Sequence, residues 1–439
     1  MEKFEKFLGE KFLDRLPKEL RTKYFDFEPR EYTDEKFCED LLNEIRISHD
    51  KCKYYRDRVW KQFDFDLEGS LSIRNLESLP YIPAHIYKGS NNLFYDLKKV
   101  PEDEIVIYSM SSATSGDFSF VTVADFDQLQ YNSIKLYNEF MNWKILKSAF
   151  GFNFSPNRAF MAIMAKIKLD NPEHKKKIGE KVRYFSMCMN KPSEYYHTVK
   201  YLIQPQLGKA ALESLRTRKV RGAFKLNIAG MLEIIREVLK TGEYKNKKYD
   251  RISLGGSTLL MYKSIVEGMY EKNIQIDLAG KCQVTTGGGG WDGIKGEIKM
   301  PKPINKIKFL EAFQKSFNLN NSDFTDIYAF TESPVIFAAH WSEQYQDFIH
   351  HCPNHARILV RDSENLEPVG IGEEGLLEVI TPYGVNGSIN QAVLVDDVVE
   401  LVSDIRCPEC GYEGAAFRIY GRMEDAQGRS CASLFNWIY

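Results

Sequence analysis

Residues 249–273 read YDRISLGGSTLLMYKSIVEGMYEKN, and this stretch decides the fold class. A short apolar run meets the turn at Gly255-Gly256, and the residues beyond it are apolar at helical spacing, three and four apart. The same strand-into-turn pattern recurs in RAFMAIMA (158–165) and DIYAFTE (326–332), and a second helical pattern fills AGMLEIIREVLKTG (229–242). Strand and helix in alternation predict an α/β architecture whose sheet is mainly parallel.

Working outward, CEDLLNEIRISHDKCKYYRDRVWKQF (38–63) has helical spacing, and IRNLESLPYIPAHIYK (73–88), with Pro80 and Pro83, reads as an extended connector. EIVIYSM (104–110) is a β-rich run entering a polar loop, and residues 125–150 return to helix, with Asp125 or Asp127 as the cap. After residue 355 the character changes. ARILVRD, GLLEVITP, AVLVDDVVELV and FRIYGRM are short strands separated by turn signals. The expected organisation is an α/β body over 1–355 and a β-rich module over 356–439.

Composition excludes several classes. Of 439 residues, 43% are hydrophobic and 27% charged, an ordinary balance for a soluble globular chain. No run approaches the roughly 18 apolar residues of a membrane span, and the charged start MEKFEKFLGEKFLDRL lacks a signal-peptide core. Eight scattered cysteines without an export signal point to reduced thiols and a cytoplasmic location. A net charge of −2 implies no general attraction to nucleic acid. Residues 166–251 nevertheless hold 21 Lys/Arg against 9 Asp/Glu, either a solvated basic face or a docking surface for an acidic or phosphate-rich partner.

Four motifs carry chemistry. Ser111-Ser112-Ala113-Thr114-Ser115-Gly116 is a loop of hydroxyls and small residues whose backbone N–H groups can approach phosphate oxygens. It lacks the GK[ST] ending of a P-loop. Thr285-Thr286-Gly287-Gly288-Gly289-Gly290-Trp291 is costly in chain entropy; it is either a flexible loop or a place where backbone lies flat on a nucleotide base. In Tyr328-Ala329-Phe330-Thr331-Glu332 a threonine suited to phosphate precedes a carboxylate suited to Mg²⁺. Asp396-Asp397, followed by Gly421-Arg422, offers a carboxylate for ribose hydroxyls and a guanidinium for phosphate.

Taken together and in this order, the motifs resemble those of the adenylate-forming superfamily. SSATSG is similar to its SSGTTG phosphate loop, YAFTE to its Y-G-x-T-E motif, VDDVV to its ribose aspartate, and IYGRMED to its hinge. Within it the chain most resembles the LuxE-type acyl-protein synthetases (fatty acid–protein ligases), with phenylacetate-CoA ligases as distant kin. KYYRDRVW, LPYIPAHIYK, GGGGW and CPECG…FRIYGR…GRSCASL favour that branch, and the resemblance spans roughly residues 40–439. Departures are Ala113, Ser115, Ala329 and Asp396, where the family usually has Gly, Thr, Gly and Gly.

The resemblance implies a large α/β body with mixed sheets flanked by helices, using ATP and Mg²⁺ to convert a carboxylic acid, in that branch a fatty acid, to acyl-AMP. Ser111, Ser112, Thr114, Ser115, Gly116 and Thr331 would hold phosphates, and Glu332 would hold Mg²⁺. Gly288 and Gly289 would face adenine, beside Tyr328, while Asp397 holds ribose and Arg422 reaches toward phosphate. Only 17 residues follow Arg422, so the mobile lid of acyl-CoA synthetases is expected to be absent. Family analogy offers Cys431 as the covalent acyl acceptor, its thiolate favoured by Arg429. From there the acyl group would pass to a partner such as a reductase or carrier. The rival readings are a ligase with a diffusible thiol acceptor and a non-catalytic nucleotide-binding protein.

Cys407-Pro-Glu-Cys410 is half of a zinc site, and a tetrahedral structural zinc needs a second pair of ligands. His340, His350, His351, Cys352 and His355 are the candidates. Cys/His residues after the T-E motif in the related ligases favour His340 with His351, or with Cys352 as substitute.

Overall fold

The computed structural model describes residues 32–87, 96–101, 104, 107–110, 120–123, 149–154, 196–198, 203–205, 224–226, 228–244, 246–292 and 303–422. RAFMAIMA, residues 125–148 of the expected 125–150 helix and most of the basic 166–251 stretch fall outside these residues, and Ala149 and Phe150 begin a strand where helix was expected.

One 12-stranded sheet organises the molecule. Its strands are β1 (Ile82–Pro83), β2 (Ala149–Phe154), β3 (Tyr196–Thr198), β4 (Arg251–Ser257), β5 (Cys282–Gly287) and β6 (Phe324–Ala329). They continue with β7 (Ile336–Ser342), β8 (Asp347–His351), β9 (Arg357–Arg361), β10 (Glu374–Ile380), β11 (Ala392–Ser403) and β12 (Ala416–Arg422). The order across the sheet is β9-β10-β11-β12-β8-β7-β6-β5-β4-β2-β3, with β1 paired to β11.

The α/β class and the mixed sheet stand as expected, but the sheet is not mainly parallel. Strands β3, β2, β4, β5 and β6 run parallel, while the pairings along the order from β6 to β9 are antiparallel and the two-residue β1 adds a parallel pairing to β11. Connection length explains the change. Helical segments join β4 to β5 and β5 to β6, as a parallel crossover requires, whereas residues 330–335 between β6 and β7 leave room only for a hairpin. The expected boundary at 355/356 falls between β8 and β9. Strands on both sides share the sheet because β12 pairs with β8 at His350↔Phe417 and His351↔Ala416.

Helices close over the sheet through their apolar faces. In α1 (Asp34–Lys51) the Thr33 side chain accepts from the Lys36 N–H, Asp34 and Glu35 complement the first turn, and Phe37, Leu41 and Ile45 are buried. That stripe packs on Leu76, Leu79, Ile380 and Tyr383. In α2 (Ile228–Thr241) Met231, Leu232, Ile235 and Val238 pack in one cluster with Phe150, Phe152, Ile252 and Leu254 of the parallel strands. In α3 (Lys306–Phe317) Asn305 caps the start, and Asn318 ends the helix in the left-handed region at φ 56°. Phe309 and Phe313, one turn apart, stack at 4.4 Å. No helix among the described residues is long and apolar enough to cross a membrane.

The expected extended connector at 73–88 instead winds into 3₁₀ turns at Ile73–Ser78 and Ala84–Tyr87, on either side of β1. A capping box between Ser72 and Asn75 starts the first turn. Pro80 and Pro83 still interrupt helix formation, so only short turns form.

Candidate functional site

The motifs after β5 and β6 converge at the middle of the sheet. Gly288, Gly289 and Gly290 all have positive φ (85°, 69° and 98°), a conformation that costs any other L-residue. This accounts for the glycine run. The loop ends on Trp291, buried against Phe309 and Phe348. The run thus has a firm exit as well as a strand at its entry.

β6 carries Tyr328 and stops at Ala329; Phe330 follows, and Thr331 and Glu332 lie in a turn. The Tyr328 hydroxyl donates to Asp397 Oδ2 at 2.7 Å, and Arg422 Nε donates to Asp397 Oδ1 at 3.1 Å. Asp397 and Arg422 are register partners on β11 and β12. Burial and the Asp397 charge push the Tyr328 hydroxyl well above its usual range. Asp397 is the dominant influence holding the Arg422 guanidinium protonated. Glu332 is 8% exposed, and its backbone carbonyl accepts from Asn390 Nδ2 at 3.1 Å. Beside it, Tyr87 is fully buried and donates to the Ile389 carbonyl at 2.5 Å. Burial first, then the Glu332 charge, raises the Tyr87 hydroxyl. Tyr87 and Asn390 pack beside Glu332 and were not singled out from the sequence, where only the PAHIYK stretch drew notice.

A second cluster occupies the other face of the hairpin. One ligand atom from each of His340, His351, Cys407 and Cys410 lies within 4.8 Å of all the others. His340 Nδ1 is 2.9 Å from His351 Nε2, which is 3.5 Å from Cys410 Sγ. The rings lie 5.0 Å apart and 10° from parallel. Two nitrogens and two sulfurs gathered this closely suit a tetrahedral ion after small shifts of the side chains. Burial lowers the His340 imidazole. Burial, then the neighbouring His340 and His350, pushes His351 down to about 3. Both imidazoles are therefore neutral at neutral pH, the form that ligates metal. Burial pushes the Cys410 thiol up to about 11. Outside the ligand set, Glu409 Oε2 lies 3.6 Å from His340 Nε2 and Ser342 donates to its other oxygen. Cys352 is buried elsewhere, with Sγ on the Pro353 carbonyl, and His355 lies beside Tyr383. Neither joins the cluster. Ser111, Ser112, Thr114, Ser115, Gly116 and Cys431 lie outside the described residues.

Residues 227–438 match the family of acyl-protein synthetases named LuxE. The match takes in the glycine loop, Tyr328, Glu332, Asp397, Arg422 and the whole His/Cys cluster, and it agrees with the resemblance drawn from the motifs. Among solved structures, the chain is similar to 2-hydroxyisobutyryl-CoA ligase in an open conformation with 2-HIB-AMP and CoA. That alignment has 13% identity and a TM-score of 0.51, covering 89% of this chain and 75% of the ligase. The same ligase in its thioesterification state aligns at 14% identity and TM-score 0.50, over 89% of this chain and 68% of the other. These likenesses show an adenylate-forming fold. A comparison with curated proteins finds no match.

Proposed function

We propose that the protein is an AMP-forming acid ligase that activates a carboxylic acid, a fatty acid on the motif resemblance, and loads the acyl group onto a thiol. The observation that carries this reading is the Tyr328–Asp397–Arg422 arrangement, set beside Glu332 at the end of β6. In this reading the doubly anchored Asp397 carboxylate would accept from ribose hydroxyls, and Glu332 would hold Mg²⁺. The LuxE-family match and the shared adenylate-forming fold support it.

Under this reading the substrate carboxylate oxygen attacks the α-phosphorus of ATP, and pyrophosphate leaves with the electron pair of the broken P–O bond. Asp397 holds the ribose and Tyr328 fixes the rotamer of that aspartate. The backbone at Gly288 and Gly289 lies along the adenine, and Arg422 faces the phosphate. Glu332 and Thr331 would hold Mg²⁺ and phosphate, the ion supplying charge neutralisation. Catalysis here is positioning and electrostatics. In the second half, the Cys431 thiolate attacks the acyl carbonyl carbon, AMP leaves, and the thioester passes the acyl group to a partner protein's thiol. The His340, His351, Cys407 and Cys410 set would hold a structural Zn²⁺ that fastens the turn between β11 and β12 to the β7–β8 hairpin.

ATP–pyrophosphate exchange over a panel of acids tests the first half. Exchange with at least one acid, abolished in Glu332→Gln with the fold intact by circular dichroism, is expected. Wild-type exchange in Glu332→Gln would remove Glu332 from the site, and no exchange with any acid would remove the ligase reading.

A further inference from the structure

The conformation of the glycine loop raises a physical problem that the proposed function leaves open. Three consecutive glycines with positive φ have little intrinsic preference for that shape, so tertiary contacts must hold it. Asp326 contacts both ends. Its Oδ1 accepts from the Thr286 hydroxyl, just before the run, at 2.5 Å. Its Oδ2 accepts from Trp291 Nε1, just after the run, at 3.4 Å. Asp326 is 5% exposed, so these contacts are shielded from water.

A third group meets the same carboxylate. His350 Nε2 lies 3.4 Å from Asp326 Oδ2, and His350 is 2% exposed. The strand register explains how residues two strands apart can touch. Asp326 pairs with Ala339, and Ala339 with His350, so all three point to one face and the small alanine leaves the gap open. Phe417, opposite His350 on β12, stacks on the imidazole at 5.5 Å and 24° and fixes its plane. His351 is the next residue of β8 and therefore points to the opposite face, into the His/Cys cluster.

We propose that Asp326 and His350 are positioning residues that hold the glycine loop in its nucleotide-accepting shape, and that metal at the His/Cys cluster sets this clamp through the His350–His351 pair. The nucleotide part rests on the function proposed above; the clamp and its link to the metal do not. Zn²⁺ on His351 Nε2 would fix the β8 backbone, and with it the reach of His350 toward Asp326. Coupling between sites of this sort is about 5- to 150-fold.

Hydrogen–deuterium exchange of peptides covering 284–292, measured on the full chain with Zn²⁺ and after chelation, tests the link. Chelation is expected to speed exchange there by about tenfold in the wild type. In Asp326→Asn, which keeps an acceptor for Thr286, the loop should exchange fast with or without Zn²⁺ while still binding Zn²⁺ at the wild-type ratio. His350→Gln should behave likewise. Loop exchange indifferent to Zn²⁺ in the wild type, or a full Zn²⁺ response retained in both variants, overturns the proposal. ATP affinity separates the two readings. The expected result is a roughly tenfold loss in Asp326→Asn and in the chelated wild type. Absence of ATP binding in every form, with the exchange response intact, would defeat the proposed function and leave the clamp standing. If Asp326→Asn does not fold, His350→Gln and the wild-type comparison still decide.

Discussion

Replacing Asp397 by asparagine keeps the side-chain shape and removes the charge shared by two donors. The Tyr328 hydroxyl at 2.7 Å and Arg422 Nε at 3.1 Å both depend on that carboxylate. Hydrogen bonds to a charged group contribute about 1.5–3 kcal/mol each. The Arg422 side chain is 38% exposed, so water takes over much of its share, which falls to about 0–1 kcal/mol. Asparagine still offers one carbonyl oxygen, but its amide then confronts the other donor. The expected cost is about 2 kcal/mol of stability, most of it on the Tyr328 side. Tyr328→Phe alone should cost about 1 kcal/mol, and the double variant should show a coupling of about 1–2 kcal/mol. Urea unfolding with unchanged slopes reads these values. The same two variants should weaken ATP binding by about tenfold each, the loss of roughly one hydrogen bond's worth of affinity. Additivity within about 0.5 kcal/mol would refute the Tyr328–Asp397 bond as a stabilising unit. Unchanged ATP affinity in a protein that still exchanges pyrophosphate would refute the ribose assignment.

Three further outcomes follow from the same geometry. Gly289→Ala forces a side chain into φ 69°, so a cost of about 1–2 kcal/mol and weaker ATP binding are expected, with metal content unchanged; wild-type affinity and stability would refute the strained loop. Glu378, fully buried beside Arg361, has its carboxyl pushed up to about 7 by burial. Between its unfolded value and pH 7 the folded protein holds a proton that the unfolded chain releases, so stability should fall as pH rises through that window. The fall should be on the order of 3 kcal/mol at most, and Glu378→Gln should flatten it; a rise with pH that persists in the variant would contradict this. One Zn²⁺ per chain is expected by elemental analysis. Because the Cys410 thiol is held up at about 11, its proton must leave on binding, so affinity should rise from pH 6 to 8 in a competition titration; pH-independent affinity would contradict thiolate ligation.

Much of the fold was legible because it follows local periodicity. The stretch 249–273 gave strand β4 and the helical turns after it, and the runs beyond residue 355 became β9 to β12. What local pattern does not contain is register. The choice between His351 and Cys352 as ligand turns on the last residue of β8, whose face is set by the Ala338↔His351 pairing. The Asp326–His350 contact was hidden for the same reason, since it crosses β7 over Ala339. Nor did the strand pattern reveal that β12 inserts between β8 and β11 and joins the β-rich end to the main sheet. At the site, GGGGW, YAFTE and VDDVV were readable as motifs, whereas Tyr87 and Asn390 meet Glu332 only through tertiary packing.

Under the proposed function the chain activates an acid and is itself the first acyl acceptor. Intact mass of the full chain after incubation with ATP, Mg²⁺ and the acid that supports exchange decides between this and a diffusible acceptor. The wild type should gain the acyl mass, labile to hydroxylamine, while Cys431→Ser should still exchange pyrophosphate and gain no labile mass. Acyl mass on a different cysteine, or active exchange with no acyl mass on the chain at all, would contradict the claim and favour a diffusible thiol acceptor.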